Sequence, residues 1–150
     1  MGIIFRVTPA VVSFTDTEIV VGLAAKQGRI RNPANTITDN KLLIGGGDGK
    51  DSPVSLVEQK DGSLVYQVDF EEKDYLIAPG QVLRHIYAYM HDIAASHCAN
   101  VDASNTVVSV PLHFTQQQRE LVKQAASEAG FTVVQVYMDW MFSDYFWECI

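Results

Sequence analysis

Short apolar runs rich in Val and Ile, broken by polar punctuation, open this chain and give way later to longer runs of helical period. "TPAVVSF" and "EIVVG" are two such runs, split by "TDT", and they predict a strand pair joined by a turn. Gly22 to about Asn32 predicts a helix, stopped by Pro33, whose ring also disfavours helical geometry at Asn32. "NTITDNKLLIG" predicts a second short helix, capped by Thr38 or Asp39 and ended by Gly45. The glycine density of "GGGDGKDSP" costs too much backbone entropy for regular structure, so it reads as a loop.

"VSLVEQKDGSLVYQVDF" is the clearest hairpin, two β-rich runs around the turn pair Asp61-Gly62, with Asp74 to Ile77 as a further strand. A long helix then starts near Pro79. Leu83, Ile86, Met90, Ile93 and Ala94 recur on its apolar face, leaving Arg84 and Asp92 outside. The last third has βαβ form. "TVVSV" and "TVVQV" are continuous β-branched strands around a helix that opens with the capping-box pair Thr115 and Gln118 and stops at Gly130. Leu121, Val122, Ala125, Ala126 and Ala129 give that helix its buried stripe, and the strands are expected to pair in parallel with a right-handed crossover. The ending "YMDWMFSDYFWECI" breaks the pattern, with both tryptophans and no clear period. The fold class is α/β.

At 150 residues the chain fits one ordinary domain, and its 47% apolar and 19% charged residues describe a globular protein. A net charge of −7 argues against direct nucleic-acid binding. Its cations nevertheless cluster at Lys26, Arg29 and Arg31, a group that could meet one phosphate but is more simply a solvated helix face. Two cysteines, Cys98 and Cys149, make no disulfide scaffold. The N-terminus lacks signal-peptide features, and Arg6 stands where a myristoylation signal needs Ser or Thr. No run is long enough to span a membrane. These features together predict a cytosolic protein with no membrane partner.

The chemistry is sparse. His85, His91 and His97 sit six apart on one helix, about 240° round from one to the next, and cannot converge on one ion. No metal site is expected. "GGGDGKDS" fails as a phosphate loop because Ile44 stands where the first glycine belongs and Asp51 where Ser or Thr should hold magnesium. No nucleophile elbow is present. Lys26, beside Ala24 and Ala25, is the one side chain whose setting points towards a cleft, and on pattern alone a solvated lysine explains it better.

Several stretches together resemble the ATPase domain of the seventy-kilodalton heat-shock chaperones, the DnaK-type family. They are "RVTPAVVSF", "GLAAKQ", "NPANTITDNKLLIG", "VVSVPLHFTQQQRELVKQAASEAGF" and "VVQV", in the family's order, from Arg6 to Val136. "RVTPAVV" and "EIVVGLAAKQGRIRN" resemble the divergent ribosome-associated member that pairs with a J-domain partner, while "NPANT" is similar to the general family. The resemblance implies a partial actin-like ATPase domain, a fragment of lobe I with a mixed sheet and packed helices. Residues 1–78 would be its outer subdomain, 79–136 its inner βαβ part, and 137–150 a divergent aromatic tail. It implies ATP or ADP with Mg2+ as the family's cofactor, and a J-domain co-chaperone and the ribosome as partners.

The same resemblance gives Lys26 the role of the lysine that faces the γ-phosphate and orients the attacking water, an electrostatic task. Pro111 in "SVPLHF" and Arg119 in "QQQR" match a proline and an arginine that relay nucleotide state to the substrate domain. As plain structure, Pro111 ends a strand and Arg119 is a solvated helix residue. The family's Gly-rich phosphate hairpin has no counterpart before Arg6, and "YMDWMF" replaces the Glu-Pro segment that organises metal and water. The expectation is therefore a truncated chaperone fragment that binds no nucleotide and does not hydrolyse ATP alone. One alternative is a non-enzymatic module that binds a chaperone partner such as a J-domain protein. The other is a competent ATPase whose hairpin lies upstream of Met1.

Overall fold

In the computed structural model, which describes residues 7–97 and 105–139, the first two apolar runs form the expected antiparallel pair. Strand β1 (Val12–Phe14) pairs with β2 (Ile19–Val21) and, on its other edge, with β3 (Thr36–Ile37). Helix α1 between them is Leu23–Gly28, shorter than the Gly22–Asn32 expected. Beyond Gly28 the bonding turns irregular, with Arg29 N–H reaching back three residues to the Lys26 carbonyl, and Pro33–Asn35 winds into a single 3-10 turn. Helix α2 (Asn40–Ile44) ends at Gly45 as expected, and Asp39 is its N-cap residue. Neither expected side-chain cap is made, because Thr38 Oγ1 donates instead to Asp39 Oδ2 at 2.8 Å.

The hairpin becomes a second antiparallel sheet of β4 (Ser55–Glu58), β5 (Leu64–Phe70) and β6 (Lys73–Ile77), in that order. Its first connection is a three-residue loop. Gln59 N–H bonds Ser63 O, Gly62 N–H bonds Gln59 O, and only Gly62 (φ 82°) has positive φ. The second connection is tighter: Glu71 (φ 53°) and Glu72 (φ 59°) both take left-handed geometry between the paired residues Phe70 and Lys73.

Helix α3 (Pro79–His97) buries Val82, Leu83, Ile86 and Tyr87 in its first half; Met90, Ile93 and Ala94 are half-buried, and Arg84 and Asp92 exposed. Strands β7 (Asn105–Pro111) and β8 (Thr132–Asp139) pair in parallel around α4 (Gln116–Glu128), with the full capping box at Thr115 and Gln118. Strand β8 continues three residues into the stretch that looked patternless; residues 140–150 and 1–6 lie outside the described residues. Leu121 departs from its expected stripe, 36% exposed, because it faces Gly80, where there is no side chain to cover it.

Three small sheets thus supply the mixture of strand directions, two antiparallel and one parallel. One apolar cluster joins them, running from Phe14 of β1 and Ile77 of β6, through Leu83 and Ile86 of α3, to Val110 of β7 and Val122 of α4. Each of these fully buried apolar side chains contributes about 1.5–3 kcal/mol.

Candidate functional site

Lys26 lies on a helix held by two small residues. Gly22 precedes it at φ 82° and ψ −137°, a conformation open to glycine, and a Cβ there would meet Tyr89 Cε1 at 3.2 Å and Thr8 Cγ2 at 3.3 Å. Ala25 is the residue of α1 that enters the core, 1% exposed. Lys26, the next residue, points into solvent. Helix α1 packs on β1 and β2 and has no comparable packing with β7 or α4.

Pro111 and Arg119 both lie at one end of the βαβ unit. Pro111 is buried at the end of β7, paired in register with Asp139 of β8. Its carbonyl accepts the Phe114 N–H at 3.1 Å and starts the turn into α4. Arg119 lies at the fourth helical position, so its side chain falls across β8, where Nη1 reaches Met138 Sδ at 3.4 Å. Its Nε is buried and, among the described residues, has no hydrogen-bond partner. Desolvating a guanidinium N–H without an acceptor is costly, so Arg119 is poorly explained as a stabilising residue. Arg119 reaches Met138 and Pro111 pairs with Asp139, so both stand at the end of β8, whereas Lys26 lies on α1 against the first sheet.

Two clefts flank this unit. One of about 330 Å3, between α4 and β8, is lined by Gln116, Arg119, Glu120, Lys123, Gln135 and Val136 among others. The other, about 700 Å3, lies between α2, the β4–β5 hairpin, the start of α3 and α4, with Leu43, Leu64, Pro79 and Leu121 in its walls. Neither includes Lys26 or Pro111.

The histidines have structural neighbours. His85 stands edge-on to Phe14 and His91 to Phe131, while His97 Nδ1–H donates to the Ile93 carbonyl at 2.8 Å. The three rings separate as their spacing predicts. Burial, and secondarily the charge on Arg84, holds the His85 pKa below 6.5. Tyr66 is buried too, which pushes its phenol well above the ordinary range, helped by the Asp39 charge. Among the described residues no group of three His, Cys, Asp or Glu is placed to hold a metal ion. In the glycine loop Lys50 pairs with Asp48 at 2.7 Å, both exposed, far from any phosphate-loop geometry between a strand and a helix.

The mechanics of "NPANT" become visible only in the fold. Asn32 Nδ2 donates to the Phe14 carbonyl at 2.8 Å, and Asn35 Nδ2 donates to Asn32 Oδ1 at 3.1 Å. Asn35 Oδ1 accepts the Asp69 N–H at 2.9 Å, and Thr36 Oγ1 donates to the Asn32 carbonyl at 2.6 Å while bonding Ser13 Oγ at 2.9 Å. This cluster ties the first sheet to the second and fixes the exit from α1. Asn and Thr next to a proline turn were the available signal.

Comparison with known proteins extends the picture over nearly the whole chain. The family model described as "Hsp70 protein" matches residues 4–139. The chain is 39% identical over 140 residues to heat shock 70 kDa protein 14 of Bos taurus, with 87% of this chain and 27% of that protein covered. The proteins of the same name from Danio rerio (38% over 138 residues) and Homo sapiens (37% over 138 residues) match over the same shares. The chain thus spans about a quarter of the length of these curated relatives.

Proposed function

Because this chain belongs to the Hsp70 family, with part of its actin-like ATPase fold, we propose that it serves a protein-folding chaperone as a relay and docking lobe and does not by itself hydrolyse ATP. The observation that carries this reading is the unequal state of the two sets of family-matching residues. Pro111 and Arg119 converge on the last residues of β8, with an arginine N–H left without an acceptor. Lys26 is exposed on α1, away from that end.

Hsp70 proteins use ATP or ADP with Mg2+, and the described residues do not fit that group. Hydrolysis needs carboxylates for the metal and a ring of donors about the transferring phosphate. Among the described residues no set of metal-ligating side chains comes together, and Lys26 is the single cation matched to the phosphate. No catalytic step follows from these residues. Membership of the family supports a J-domain co-chaperone as a partner in this reading, and the ribosome and a cytosolic location go with its resemblance to the ribosome-associated branch. The division into an outer part, residues 1–78, and an inner part, 79–136, belongs to the same proposal.

Steady-state ATP turnover of the purified chain tests it. The expected result is a rate at the no-protein baseline for the chain and for Lys26→Ala alike. Turnover that Lys26→Ala abolishes would show that the phosphate site is complete and overturn the reading.

A further inference from the structure

We propose that the segment from Leu23 to Arg31, where two exposed aliphatic side chains stand among three cations, is a docking surface for an acidic protein segment carrying apolar side chains. Leu23 is 58% exposed and Ile30 90% exposed. Leu23 opens α1, and Ile30 stands in the turn that directly follows it. The chain turns tightly past the end of α1. Arg29 keeps φ −53° and ψ −37°, and the N–H groups of Arg31 and Asn32 both bond the Gly28 carbonyl, at 3.0 and 3.2 Å. Lys26 falls between Leu23 and Ile30 along the chain, and Arg29 and Arg31 bracket Ile30.

The charge of this segment is unlike that of the rest. The chain carries −7 overall, yet from Ile19 through Thr38 there is no Asp or Glu. Lys26, Arg29 and Arg31 are all exposed, and none takes part in the salt bridges found among the described residues. The segment is also held in place before any partner arrives. Ala25 is sunk in the core, and the Asn32 amide is tied to the Phe14 carbonyl at 2.8 Å. A preformed surface loses less conformational freedom on binding than a mobile one.

The kind of anion follows from what accompanies the charge. Single-stranded nucleic acid docks by stacking bases on aromatic rings, and Ile19 to Thr38 contains no aromatic residue. Recruitment to an anionic membrane takes about four to eight Lys or Arg together, more than stand here. Carboxylates spaced around aliphatic side chains match both the cations and the Leu23–Ile30 pair. This surface is independent of any nucleotide and of the Pro111–Arg119 end.

The test is fluorescence anisotropy of the purified chain with a fluorescein-labelled Glu-rich peptide carrying a pair of leucines. Binding is expected to weaken by roughly tenfold for Ile30→Ser and for the double variant Arg29→Glu/Arg31→Glu, consistent with loss of an apolar contact or of the charge match. Both changes are at exposed positions, and unaltered thermal melts confirm that the fold is kept. Replacing the peptide's leucines with serine should weaken binding as Ile30→Ser does. Absence of binding, or affinity unchanged in both variants, overturns the proposal. So does tighter binding of a single-stranded RNA oligonucleotide or a phosphatidylserine vesicle.

Discussion

Gly22 and Arg119 show how differently single residues serve this chain. Gly22 combines positive φ with near contacts from Tyr89 and Thr8, so Gly22→Ala meets both a backbone and a packing penalty. A loss of about 1–3 kcal/mol is expected, read as a lowered denaturation midpoint at unchanged slope. Arg119 is the reverse case. Removing its buried, unpartnered Nε by Arg119→Met should leave thermal stability unchanged or raise it slightly; a drop of several degrees would mean that the guanidinium is structural. At the β5–β6 turn, Glu71 and Glu72 hold positive φ that Asn and Gly adopt more readily. Glu71→Asn/Glu72→Gly should therefore stabilise by roughly 1 kcal/mol, raising the melting temperature by about 2–4 °C. His85 gives a pH dependence with a definite sign. Its folded pKa is below 6.5, so the unfolded chain takes up the proton first. Stability from this site is full above pH 6.5 and is lost as pH falls through the lower folded value. Denaturant midpoints followed across that range should decline for the native chain and decline less for His85→Phe.

At the scale of elements, the legible ones carried their own local signals. The capping box at Thr115 and Gln118 is formed in both halves, with the Thr115 N–H to Gln118 Oε1 bond at 2.8 Å. Thr115→Ala should cost about 1 kcal/mol by thermal or chemical denaturation. The strand pairs, α3 from Pro79, and the parallel βαβ unit likewise follow from period and punctuation. Helix α1 was overestimated because nothing in "KQGRIRN" except Gly28 announces an end before Pro33, and a lone glycine is a weak stop. The Asp61-Gly62 pair marked the right turn with the wrong length, since Ser63 takes both its backbone N–H and hydroxyl to Asp61 Oδ1 and Gly62 alone turns left-handed. The Glu71-Glu72 turn carried no sequence signal at all. Its geometry is set by the pairing of β5 with β6 on either side, with Phe70 packed edge-on to Phe14.

Across the whole molecule, family and fold class were readable from ordered motifs, whereas the site was readable only as isolated residues. Lys26, Pro111 and Arg119 stand far apart in sequence, and only the folded βαβ unit reveals that two of them share the end of β8 while the third does not. The contact between Arg119 and Met138 could not be foreseen, because Met138 sits in a stretch without readable period. One continuous core joins all three sheets, so the described part of the chain is expected to unfold as a single cooperative unit. We propose that this unit keeps the relay end of the family's first lobe without a working nucleotide site. A thermal melt of the purified chain with and without Mg2+-ADP tests it most directly. Ligand at a hundred times its dissociation constant would add about 2.7 kcal/mol, a shift of several degrees at this size. A cooperative melt that ADP does not move is the result expected; an upward shift that Lys26→Ala removes would contradict the account.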